Sequence, residues 1–197
     1  MADQIEGERF SGEDWYGEDL AGRRYAGCEF SGVDLTEATS AGTTFTECVF
    51  RNVKFNASRH ADSAFLRCEF LRCNLFETRF DGCKLVGSRF HESQLRPLRV
   101  EDGDWSFVSL PGADLRGVTI RRVRMREADL SGADCEGATI VDVDLSGARL
   151  GRIGLVRCDL RGSDLSALDP RDARLAGAII SPDQAMVVAG ALGFELG

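Results

Sequence analysis

From Ile5 to Ile180 the chain places an apolar side chain at every fifth residue: Ile5, Phe10, Trp15, Leu20, Tyr25, Phe30 and onward with no change of phase. Only Ser40, His60 and Pro170 interrupt the series. Two residues before each centre lies a second constrained position, filled mostly by Cys, Ser, Thr, Ala or Val. Two residues after it Gly recurs, and sixteen of the 22 glycines fall there, which marks this slot as the place where the chain turns. A period of five fits neither a 3.6-residue helix nor a flat two-residue strand. It fits a short extended segment whose large and small side chains, two apart, point the same way. A corner follows, where Gly supplies the backbone angles. Four such segments close a square coil of twenty residues, and stacked coils bury one continuous core. The spacing therefore predicts an all-β solenoid over residues 1–180. At its start the small inward position holds Glu8, Glu13, Glu18 and Arg23. This reads either as a charged guard on an open sheet edge or as a less regular segment over residues 1–25.

Runs such as Ala113-Asp114-Leu115-Arg116-Gly117, Ala128-Asp129-Leu130-Ser131-Gly132 and Cys158-Asp159-Leu160-Arg161-Gly162 resemble the repeating unit of the pentapeptide repeat family. The resemblance covers roughly residues 8–180 and implies a right-handed quadrilateral β-helix.

Residues twenty apart then stack. One wall carries Phe10, Phe30, Phe50, Phe70 and Phe90, followed by Leu110, Leu130 and Leu150, as a continuous core requires. All seven cysteines take inward positions, six at the small site and Cys135 at the large one, and read as buried, inert thiols. Ser40 and His60 are stacked neighbours and read as a hydrogen-bonded defect in the core; a nucleophile–base pair lacks an orienting third group and an oxyanion pocket. Only two histidines are present, with no CxxC pair, phosphate loop, GxGxxG turn or HExxH, so neither an enzyme, a cofactor nor a metal is expected.

The five-residue rhythm stops after Ile180. Ser181-Pro182-Asp183-Gln184 carries the marks of a helix start, with Ser as N-cap, Pro in the first turn and Gln at the capping-box position. A helix over 182–192 follows, and residues 181–197 form a C-terminal capping or dimerisation segment. It is apolar nearly all round. One face can cover the last coil, while Met186, Val187, Ala189, Leu192 and Phe194 are expected to hold a second copy in a two-fold homodimer; a simple monomeric cap is the alternative.

The chain carries 32 acidic and 24 basic side chains, a net charge of −8. That total splits into −8 over residues 1–50, +6 over 51–126 and −6 over 127–197. The position just before each centre yields outward carboxylates at Asp114, Asp129, Asp134, Asp144, Asp159, Asp164 and Asp169. The acidic start lacks a secretory pattern and no apolar run is long enough to span a membrane, so a cytoplasmic location is expected. About nine coils at ~4.8 Å each make a rod of roughly 43 Å, about 20 Å wide, and two rods end to end match roughly 25 base pairs of DNA. Duplex DNA over the length of one such rod carries ~25 negative charges, far above the −8 here. Any imitation of DNA therefore rests on shape and on local acidic columns.

Further motifs resemble the MfpA-type and Qnr-type branch of the family: Leu95-Arg96-Pro97-Leu98, Leu145-Ser146-Gly147-Ala148-Arg149 and Asp183-Gln184-Ala185. They are closer to the MfpA type, since the unbroken register leaves no room for the projecting loops common among Qnr types. This resemblance implies a homodimer joined through its C-terminal ends that imitates DNA bound to DNA gyrase and modulates fluoroquinolone sensitivity. The acidic ladder from Asp114 to Asp169 would touch gyrase, with no direct nucleic-acid, membrane or small-molecule partner. The basic middle third departs from a uniform DNA mimic and would meet an acidic surface on the partner. The other reading is a general interaction scaffold, or a self-protection factor acting on a different DNA-processing target.

Overall fold

A computed structural model describes residues 4–195. The chain forms a four-walled parallel β-solenoid whose register is twenty residues throughout, from Gln4↔Arg24 to Asp159↔Ile179. Every described strand is three residues long, outward–inward–outward, with the fifth-residue centre in the middle, apolar except at Ser40 and His60. One wall is a four-stranded sheet from Gln4–Glu6 to Ala64–Leu66, the next a five-stranded sheet from Arg9–Ser11 to Arg89–His91. A six-stranded sheet runs from Thr39–Ala41 to Thr139–Val141. The fourth wall is held by isolated bridges such as Asp14↔Asp34 and Asp114↔Asp134. Residues 4–25 keep the same register as the rest, with Gln4–Glu6 and Arg9–Ser11 both paired in sheets. Glu8, Glu13 and Glu18 are exposed there.

Corners lie two residues after each centre, and the backbone there is left-handed whether or not the residue is Gly. Gly117 has φ 67°, but Glu37, Arg72 and Phe107 have 58°, 52° and 61°. A side chain in this region costs roughly 1–2 kcal/mol, so the stacking of neighbouring coils holds these corners in place. Ala167 and Asp172, near the C-terminal end, lack this left-handed backbone, and the coil around Pro97 departs as well. The Arg96–Pro97 peptide is cis, and the Glu77 amide donates to the Pro97 carbonyl, twenty residues ahead, where most other corners reach nineteen. Gly103 then occupies the small inward position, so close to Cys83 that a Cβ would lie 2.1 Å from its carbonyl oxygen.

The core follows the stack. Phe30, Phe50 and Phe70 lie ring over ring at 4.8 and 4.9 Å, Phe70 and Phe90 at 4.4 Å, with a second file through Tyr25, Phe45 and Phe65. All seven cysteines are buried and unpaired. Burial pushes the thiols of Cys73, Cys83 and Cys158 up to about 12.

A helix, Pro182–Ala191, closes the far end, with Leu192 as C-cap. Ser181 and Gln184 form the reciprocal capping box. The Gln184 side-chain nitrogen also donates to the carbonyls of Leu160 and Ser163, both at 2.7 Å, bolting the helix to the last coils.

Candidate functional site

The outward carboxylates are built into the turns. In each of Asp114, Asp129, Asp134, Asp144, Asp159, Asp164 and Asp169, Oδ1 accepts the backbone N–H two residues on, at 2.8–3.3 Å. An Asp side chain closing such a turn replaces a backbone acceptor and fixes the approach to the corner. Most of them also hold an arginine. Asp114 meets Arg96 and Arg116, Asp129 meets Arg149, Asp134 meets Arg174, Asp144 meets Arg126 and Asp159 meets Arg161. Among the described residues only Asp164 and Asp169 of the seven have no ion-pair partner.

The guanidinium of Arg116 holds Asp114 below the usual carboxylate range, and that of Arg161 does the same for Asp159. At Asp129 and Asp144 partial burial opposes ionisation, but hydrogen bonds from Ser131 and Ser146, with the arginines, outweigh it and leave both lowered.

The seven do not form one column. Asp114 and Asp134 stack on the bridged wall, Asp144 and Asp164 on the wall of the four-stranded sheet, Asp129 and Asp169 two coils apart on the next wall, and Asp159 on the six-stranded wall. Two pairs of adjacent carboxylates result, on different sides of the rod.

The terminal helix leaves an apolar surface. Met186 and Phe194 are 52% and 66% exposed, Val187, Leu192 and the neighbouring Ile179 are exposed as well, and Ala189 is half-buried. Val188 alone of the helix's large apolar side chains packs on the core cluster.

Ser40 and His60 meet inside the core, each 2% exposed. Ser40 Oγ lies 2.8 Å from His60 Nδ1 and 2.9 Å from Ser63 Oγ, while His60 Nε2 lies 3.1 Å from Ser58 Oγ. Burial lowers the imidazole pKa to about 3, so the ring is neutral. The surrounding core seals the pair from any substrate.

One feature escaped the reading of net charge by thirds. Arg59, Arg79 and Arg99 stack in adjacent strands of the six-stranded wall, facing solvent. Their spacing of twenty residues is the signal from which they could have been found.

No helix among the described residues is long and apolar enough to cross a membrane. Three or more His, Cys, Asp or Glu side chains that could hold a metal ion are nowhere grouped among these residues.

A family model described as pentapeptide repeat region matches residues 43–130, and one described as pentapeptide repeats (8 copies) matches residues 20–59. No curated protein sequence matches significantly. Among solved structures, full-length QnrB1, a plasmid-mediated fluoroquinolone resistance protein, is similar with a TM-score of 0.73 and 19% identity, covering 98% of this chain and 100% of that one. A trypsin-treated variant of QnrB1 gives 0.67 and 22%, covering 100% and 99%. HetL, a pentapeptide repeat protein involved in heterocyst differentiation regulation from the cyanobacterium Nostoc, gives 0.61 and 20%, covering 90% of each chain. The two family models together span residues 20–130, the five-residue unit extends well beyond them in both directions, and the chain belongs to the pentapeptide repeat family.

Proposed function

We propose that the protein is a DNA-mimicking rod that binds DNA gyrase as a C-terminally joined dimer and modulates its sensitivity to fluoroquinolones. The observation that carries this reading is the end-to-end likeness to QnrB1, 98% of this chain on 100% of that one, with no part of either rod left over. The MfpA-type motifs, among them Leu95-Arg96-Pro97-Leu98, support the same branch. The exposed Met186, Val187, Leu192 and Phe194, with Ala189, supply an apolar end for the second copy. Dimerisation there joins two acidic thirds at the centre of a rod roughly 85 Å long. The stacked pairs Asp114–Asp134 and Asp144–Asp164, with the unpaired Asp169, are the carboxylates offered to a surface that ordinarily holds phosphates.

The test is supercoiling by purified gyrase, with and without a fluoroquinolone. Micromolar protein is expected to alter either the activity or its inhibition, and the double reversal Asp164→Arg, Asp169→Arg to abolish the effect. No effect of the unaltered protein under either condition would sink the proposal.

A second reading is a general interaction scaffold. It is favoured by the pairing of five of the seven carboxylates with arginines, which mutes the acidic surface. HetL carries a similar rod and is involved in a different process. Affinity capture enriched in partners other than topoisomerase subunits, with no supercoiling effect, selects this reading.

A further inference from the structure

At several places along this rod a basic side chain stacks on an acidic one a single coil away. Asp34 pairs with Lys54, Glu47 with Arg67, Asp102 with Arg122 and Asp104 with Arg124, all at 2.9 Å, and Asp129 with Arg149 at 2.8 Å. Each pair is twenty residues apart. Opposite charges facing each other across adjacent strands stabilise a sheet, and like charges destabilise it.

The six-stranded wall breaks this rule at its middle. Arg79 is in register with Arg59 on one side and Arg99 on the other, and all three point outward. Among the described residues none of the three has a carboxylate within 4.0 Å or a side-chain hydrogen bond. The same column continues as Thr39 before them and Thr119 and Thr139 after, so uncharged residues fit this wall. Three stacked guanidiniums are thus kept at a cost in stability, and none of the described carboxylates pairs with them.

We propose that the column of Arg59, Arg79 and Arg99 is a binding site for a linear phosphate chain. The three arginines, with Ala57, Glu77 and Pro97 at the adjoining corner, line a groove of about 200 Å³. Guanidinium forks match phosphate oxygens in pairs. The groove is narrow in charge as well as in shape: Glu77 flanks the column on one side, Asp81 and Glu101 on the other. A slender chain of phosphates lies on the arginines alone, whereas a broad duplex or an acidic protein face also meets the flanking carboxylates. An extended acidic peptide fits poorly too. Its same-face side chains are about 6.6 Å apart, against about 4.8 Å between coils.

The probe is inorganic tripolyphosphate, titrated into the full chain with the thermal midpoint and calorimetric heat as readouts. A saturable rise in the midpoint, not reproduced by sodium chloride of equal ionic strength, is expected. Arg79→Gln is expected to weaken binding by about tenfold or more, since charged hydrogen bonds to the anion are lost. Arg89→Gln removes an equal charge on another wall and is expected to leave binding within about twofold. Arg79→Thr should raise the midpoint without ligand while abolishing the response to tripolyphosphate, an opposition that a merely structural arginine would not give. A nucleoside triphosphate matching tripolyphosphate assigns the site to the phosphates alone; tighter binding assigns it to nucleotides. A response that follows ionic strength, or equal loss in Arg89→Gln, overturns the proposal. So does an Arg79-dependent preference for duplex DNA or polyglutamate over tripolyphosphate.

Discussion

The Ser40 hydroxyl donates to Nδ1 of His60 across 2.8 Å, one coil further along, where two large apolar side chains would otherwise stack. The proton order follows from the neighbours. Ser58 Oγ donates to the Phe55 carbonyl at 2.7 Å, so His60 must donate from Nε2 to Ser58, leaving Nδ1 to accept from Ser40. The one Ser63 hydroxyl proton is shared between Ser40 Oγ and the Ala61 carbonyl, each at 2.9 Å. A neutral ring with its proton on Nε2 satisfies both ring nitrogens, and a second proton at Nδ1 would place a charge in a fully buried site.

That geometry sets an acid sensitivity. The imidazole titrates near 6.5 when unfolded and near 3 in the core, so the unfolded chain takes up a proton that the folded one refuses. Stability is unaffected by this group above pH 6.5 and falls by about 1.4 kcal/mol per unit as pH drops from there toward 3. In His60→Phe, which continues the stack onto Phe80 and leaves Ser58 and Ser40 their other partners, denaturant unfolding between pH 6 and 4 is expected to show a shallower loss than in the parent.

Two glycines separate conformation from space. Gly117 has φ 67° with nothing within 4 Å of an added Cβ, so Gly117→Ala should cost roughly 1–2 kcal/mol from the backbone angle alone. Gly103 faces Cys83 backbone atoms at 2.1 and 2.8 Å, so Gly103→Ala must push two coils apart. Urea midpoints should place Gly103→Ala well below Gly117→Ala; equal midpoints would contradict the close approach at Gly103.

The period of five carried the fold because it fixes both the wall and the depth of every side chain. Corners without Gly, such as Glu37 and Arg72, are found only by counting, since their composition does not advertise a left-handed backbone. The acidic positions were legible as outward, but Asp129 and Asp159 were not legible as half-neutralised. Their arginines lie respectively twenty residues ahead and two residues ahead, and only the packed rod selects which of the two contacts forms. The reach of Gln184 to Leu160 and Ser163 was hidden as well, because it depends on where the helix docks. The capping box explained that glutamine locally and gave no reason to seek a second role.

Gln184→Ala should therefore act on two levels. It removes the capping contact to Ser181, leaves the Ser163 carbonyl without a donor and takes one of two donors from the Leu160 carbonyl. A loss of about 2–3 kcal/mol is expected, together with faster amide exchange across 182–191. Exchange unchanged from the parent would show that Val188 packing holds the helix alone.

The thiols should be silent. With Cys73, Cys83 and Cys158 raised to about 12 and all seven cysteines buried, a thiol reagent at pH 8 should label none in the folded protein and all after denaturation. Labelling of any one in native buffer would locate a coil that opens.

Because each coil bonds to the one twenty residues before and after it, this protein's length is quantised. A single inserted residue puts every later side chain out of phase, so that the centres no longer face the core, whereas excision of 41–60 would join Ser40 to Ala61 with every column still in phase. The molecule would shorten by one rise of about 4.8 Å and lose the first arginine of its column, leaving the remaining pattern intact. Evolution can edit such a rod as one edits a string of beads. The heritable unit is the whole coil, and the distance between the arginine column and the acidic end can change only in whole steps.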